Sequence, residues 1–284
     1  MISERNADKP HALQAAVADQ RRLSPALAFA VFFALACCWL ACSTLLVNID
    51  LFDGYSTIAN SQYFLNGSGD YFWQRGPLMA WLLTPAEYLA QRLDLNELDV
   101  RPHHLEMALL HAVYLWSVWQ LLHRNFGGNW ITLIAYLAAI PSFVFFSYAP
   151  FISHDIFPGV LVLLMVTLAH RYLRVPTNGL WLTLFGVGAA LTLIKQTYAL
   201  VWPAVIVAAV VQWAVHGRST GAPFRRIISL ALAAAASALV SWSIYASALA
   251  TTFPEVAFWA RPIELARAVS MLYLNEGPPR EIFY

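Results

Sequence analysis

The chain has 284 residues, 60% of them hydrophobic and only 12% charged, with a mean hydropathy of +0.58 and a formal net charge of +1. An ordinary soluble domain of this length is excluded by those figures, and the near-neutral balance leaves no basic surface for nucleic acid. The composition is that of an all-α, polytopic membrane bundle.

Residues 1–24 form a polar tail with Arg5, Lys9, Arg21 and Arg22. A polar stretch of that length ahead of the first apolar run does not fit a cleavable leader, so 25–48 reads as a signal anchor. Cys37, Cys38 and Cys42 all fall inside this run, where a thiol packs as a small apolar group, and their spacing builds no disulfide or metal framework. Further runs long enough for helices that cross the hydrocarbon, which takes roughly 20 residues, lie near 103–123, 129–149, 156–173, 179–194, 197–215 and 227–250. The expected count is therefore about seven spans. Its weakest boundary is the short polar break in "TLIKQTYALVWP"; without it, every later segment changes sides.

The loops "RNFGGN", "HRYLRVPTNG" and "HGRSTGAPFRR" carry Arg124, Arg171, Arg174, Arg218, Arg225 and Arg226 and no acid. The positive-inside rule makes them cytoplasmic, together with the N-terminal tail. The expected location is thus the inner, or plasma, membrane, with the N-terminus inside. The exterior face receives the loop 49–102, turns near 154–155 and 195–196, and the segment 251–284. Nearly all acids collect there, although acids contribute little to topology. In the first loop, "STIANSQYFL" and "PLMAWLLTPAEYLAQRL" read as short interfacial helices, with "NGSGD" as a turn between them and Pro77 in the first turn of the second.

Several exterior residues could carry chemistry. Asp50 and Asp53 follow the first span three residues apart, as a general base, metal ligands or a polar boundary to the span. Asp155 in "APFISHDIFPGV" stands at the mouth of an apolar hairpin, where an ionisable group is a functional candidate and helix N-capping is the competing explanation. His154, His103 and His104 read as interfacial polar residues. Lys195 and Arg75 lie close to the membrane plane, where they could snorkel or meet an anionic substrate. A carboxylate that takes an acceptor's proton, opposite cations that neutralise a departing lipid phosphate, would transfer a sugar. Asp53, Asp155 and His154 are the candidate ligands for a divalent metal ion, and the spacing is compatible with chemistry with or without one.

In order and side, these motifs resemble the GT-C glycosyltransferases, particularly the bacterial protein-mannosyltransferase and aminoarabinose-transferase type. The run Asp53, Tyr55, Ala59, Gly67 and "RGPLMAWL" resembles the family's acidic first loop. Asp155 resembles its second acid, and Lys195 in "LTLIK" its lysine before the sixth span. The chain departs from the pattern at Gly54, where the family often has Glu, and at Gly76, where it has a second Pro. The resemblance covers roughly residues 25–250 as a shared membrane module, and leaves 251–284 as an exterior segment of a fragment or a short member. It implies inverting transfer from a polyprenyl-phosphate sugar to a lipid, polysaccharide or protein acceptor. Asp53 would be the base, with Asp50 the alternative; Asp155 would orient the acceptor or hold a metal, and Lys195 and Arg75 would bind the donor phosphate. The rival expectations are a transporter of lipid-linked saccharides, which would want broken helices in repeated halves, and a non-catalytic or truncated membrane subunit.

Overall fold

The computed structural model describes residues 24–50, 52–67, 71–72, 76–96, 99–140, 151–152, 156–220 and 224–274. Their regular structure is entirely helical: α1 (Pro25–Leu46), α2 (Phe52–Asn66), α3 (Pro77–Leu82), α4 (Thr84–Arg92), α5 (Arg101–Phe126), α6 (Trp130–Ala139), α7 (Pro158–Arg174), α8 (Asn178–Ile194), α9 (Val201–Thr220), α10 (Phe224–Ala248) and α11 (Arg261–Leu274). Short 3-10 turns at Gln196–Leu200 and Phe258–Ala260 precede α9 and α11. Four stretches are long and apolar enough to cross a membrane: Pro25–Leu46, Arg101–Phe126, Gln196–Val215 and Phe224–Ala248. They expose rows of large apolar side chains, such as Leu27, Val31, Leu35 and Trp39 on α1, that no neighbouring helix covers. The remaining expected spans correspond to shorter helices: α7 and α8 have 17 residues each and α6 has 10. The rest of the expected run 129–149 lies outside the described residues.

Local chemistry sets several helix starts. Ser24, Asn129 and Thr177 each accept a backbone N–H from the first turn of α1, α6 and α8, and Pro25 occupies a position whose N–H would go unused. Gly127, at φ +82°, ends α5 in a conformation that a side chain would strain. An aromatic core then joins α1, α5 and α6. The Phe29 and Trp119 rings stack at 4.4 Å, both meet Tyr136 edge-on, and the Tyr136 hydroxyl donates to Leu115 O.

The break at Lys195 is a true reversal. Lys195 is extended (φ −154°, ψ 129°), and the Trp202 ring lies so close to Gly188 that an added Cβ would meet it at 2.4 Å. In one straight helix these two residues would stand about 21 Å apart. A second observation agrees: Ser237, Ser241 and Tyr245 of α10 donate to Phe185 O, Ala189 O and Thr192 O of α8. Both sets of residues ascend together, so α8 and α10 are parallel and α9 must return between them. The Arg226 guanidinium donates to Leu173 O and Arg174 O, so the end of α7 meets the start of α10 at one pole of the bundle, where Arg171, Arg174, Arg225 and Arg226 cluster. The opposite pole holds Lys195, the end of α10 and the start of α7.

Candidate functional site at the acidic pole

The α2–α4 layer covers this second pole. Ile58 of α2, Met79 and Leu83 beside α3, Val100 and Met107 of the α5 entry, and Ile152 share one buried core. Helix α2 turns its polar stripe inward: Ser56, Thr57, Asn60 and Ser61 are all buried. Asn60 uses its amide as a two-pronged clamp, donating to Phe72 O at 2.9 Å and accepting from Phe72 N at 2.6 Å. That grip fixes the chain shortly before Gly76. Gly76 then lies so close to the end of α8 that a Cβ would stand 1.9 Å from Leu193 O and 2.5 Å from Ile194 O. The backbone at Gly76 and the end of α8, just before Lys195, are in direct contact, and no side chain fits between them.

Asp50 is the centre of the other half. Its side chain and that of His104 are both fully buried, with Oδ2 2.8 Å from His104 Nε2. The same oxygen accepts the Ile152 N–H at 3.1 Å, while His104 Nδ1 faces Val47 O at 3.1 Å. A carbonyl can only accept, so Nδ1 carries a proton, and a second proton must lie between Nε2 and the carboxylate. The carboxylate also fills the space over Gly54, where a Cβ would fall 2.2 Å from Asp50 Cγ. One residue thereby ties together the end of α1, the first turn of α2, the start of α5 and the segment before residue 153.

The neighbouring histidine makes a second couple. His103 Nε2 stands 3.1 Å from Glu87 Oε2, and Gln91 donates to Glu87 Oε1 at 2.9 Å. Burial alone would raise the Glu87 pKa; hydrogen bonds from His103, Gln91 and Gln62, with the charge of His103, outweigh it and hold the carboxyl below its ordinary value. Tyr71, buried against Leu249 and Leu265, has its phenol pushed up by desolvation and stays neutral. His103 and His104 are 2% and 0% exposed and grip carboxylates on two flanks of α5. Their signal in the sequence was an adjacent pair in the first turn of an apolar helix.

Of the residues expected to act, Asp50 and Lys195 lie at this pole, and the backbone of Asp53 is in the first turn of α2. The Asp53 side chain, Arg75, His154 and Asp155 lie outside the described residues. Among the described residues, no three His, Cys, Asp or Glu gather in a metal-holding group.

Comparison with known proteins gave no match to a family model, a curated protein or a solved structure. The geometry of this chain offers a pole with a buried carboxyl–imidazole couple on one side and, on the other, the Gly76 backbone packed directly against the end of α8 that precedes Lys195.

Proposed function

We propose that the chain is a membrane glycosyltransferase that moves a sugar from a polyprenyl-phosphate donor to an acceptor on the exterior face, within a GT-C-like module of about seven spans. One observation carries this reading. Four places far apart in sequence meet at one pole: the Asp50 turn after α1, the chain at Ile152, the Gly76 backbone and the end of α8 before Lys195. The two departures from the family pattern support it as well, because Gly54 and Gly76 are the positions where Asp50 and Leu193 leave no room for a Cβ.

In this reading Asp53 takes the proton from the acceptor hydroxyl as its oxygen attacks the anomeric carbon. The bond from that carbon to the phosphate oxygen breaks with inversion, and the polyprenyl phosphate leaves with both electrons. Lys195 and Arg75 neutralise it. Asp50, whose Oδ2 already accepts two donors in a dry site, holds the frame instead of receiving the acceptor. Asp155 orients the acceptor. The membrane is the inner membrane, with the Arg-rich pole on the cytoplasmic side.

The test is transfer of radiolabelled sugar from polyprenyl-phosphate donors in membranes, comparing wild type with Asp53→Asn and Lys195→Ala, each with and without EDTA. Loss in both variants, with normal insertion, is the expected result. Full activity in both would overturn the residue roles. No transfer from any donor by inserted wild-type protein would overturn the reaction, in favour of a transport or non-catalytic role.

A further inference from the structure

We propose that His104 is a positioning residue: held between Val47 O and Asp50, its ring locks Asp50 in place and thereby docks the chain at Ile152 onto the Asp50 turn of the candidate site. The inference deepens the transferase reading and rests on it for its activity readout, but its structural half stands alone. The observations are mutually dependent. Asp50 Oδ2 serves two donors at once, His104 Nε2 at 2.8 Å and Ile152 N at 3.1 Å. One proton lies between Nε2 and that oxygen, whose remaining lone pair takes the Ile152 N–H, so the same carboxyl group is held from two sides. Both side chains are fully buried, so water cannot replace either partner. Ile152, 3% exposed, has that carboxylate as its amide acceptor, and it lies three residues before Asp155. His104 therefore acts through Asp50 on the position of the chain at Ile152, and touches no substrate itself.

Two conservative variants separate this role from packing. An Asn amide ends where Nδ1 stands, so His104→Asn keeps the bond to Val47 O and loses the one to Asp50. A Gln amide ends near Nε2, so His104→Gln does the reverse. The experiment is amide hydrogen exchange across residue 152 in the full-length protein in nanodiscs, with kcat and KM measured on the same preparations. Removal of a hydrogen bond to a charged group corresponds to about a tenfold or larger change. Exchange at Ile152 is therefore expected to quicken about tenfold or more in His104→Asn and to stay near wild type in His104→Gln. The value of kcat should fall in parallel, while KM for the lipid donor is unchanged. Equal behaviour of the two variants, in either direction, would overturn the proposal. Should His104→Asn fail to fold, Gly54→Ala, which leaves the imidazole intact and displaces the carboxylate, must quicken Ile152 exchange in the same way; unchanged exchange in that variant overturns the proposal too. If exchange follows the expected pattern while wild type transfers no sugar, the clamp stands and the transferase reading falls.

Discussion

Asp50→Asn is the most informative single change at the acidic pole, because it preserves shape and removes only the acceptor chemistry. In the wild type, one oxygen accepts from His104 at 2.8 Å and from Ile152 at 3.1 Å. An asparagine must place either its oxygen or its NH2 group at that point. With oxygen there, His104 faces a neutral amide instead of a carboxyl group in a site with no exposure; with NH2 there, the Ile152 N–H faces another donor. Hydrogen bonds to a charged group contribute about 1.5–3 kcal/mol each, and a buried polar group left without its partner costs about 1–3 kcal/mol. One bond survives in weakened form, so the expected loss is about 2–4 kcal/mol. For a chain of this size that corresponds to a fall in apparent Tm of roughly 5–15 °C. Thermal unfolding in detergent, followed by intrinsic tryptophan fluorescence, reads it directly. An apparent Tm within about 1 °C of wild type would refute the claim that this carboxylate is the shared acceptor.

Three further outcomes follow from the same geometry. Gly76→Ala places a Cβ 1.9 Å from Leu193 O, a backbone atom that cannot rotate away, so the loop must separate from α8; a loss of about 1–3 kcal/mol or more in the same unfolding assay is expected, and a neutral variant would show that the contact is not tight. Glu87 has a folded-state pKa below its ordinary value, so it adds stability above the ordinary carboxylate range and loses that contribution as pH falls through the folded pKa. Glu87→Gln should therefore lower stability at neutral pH and flatten the acid limb of a Tm-versus-pH curve, whereas an unchanged acid limb would mean that other carboxyls govern it. With Cys37, Cys38 and Cys42 replaced by Ala, an impermeant maleimide applied outside should label Thr197→Cys in intact cells and Gly179→Cys only after permeabilisation; labelling of both from one side would contradict the reversal at Lys195.

The sequence shows the helical class plainly because apolar runs and caps such as Ser24, Asn129 and Thr177 are local signals. The reversal at Lys195 was legible as a polar interruption, but only the Trp202 contact with Gly188 and the parallel run of α8 and α10 distinguish it from a kinked single helix. The inward polar stripe of α2 was hidden, since periodicity identifies a stripe without saying which side is covered. The histidine couples were hidden for a related reason. His104 meets a carboxylate brought by the end of α1 and His103 one brought by α4, and neither partner lies at a spacing that a helix would reveal. Gly54 and Gly76, read as departures from a motif, are explained by the Asp50 carboxyl group folded over the first and by the end of α8, which arrives from far along the chain, against the second.

Adjacent histidines suit this hub for a geometric reason. Successive residues on a helix point about 100° apart, so one turn at the start of α5 can hold two flanks at once, with Pro102 in that same first turn adding no donor to be satisfied. One flank is the Asp50 turn and the other is α4 through Glu87. The Lys195 side is set by the Gly76 backbone against α8, with Asn60 holding the chain at Phe72. The two halves of the pole are thus held rigid by different means, and damage to each should separate in kinetics. On the proposed transferase reading, a change at His104 moves the Asp50 turn and should act on kcat, whereas a change at Gly76 moves the loop beside Lys195 and should act on KM for a lipid-phosphate donor. A pole that served only as a structural cap would show neither separation, because loosening it from either side would lower the amount of folded protein and leave the kinetics of what remained unchanged.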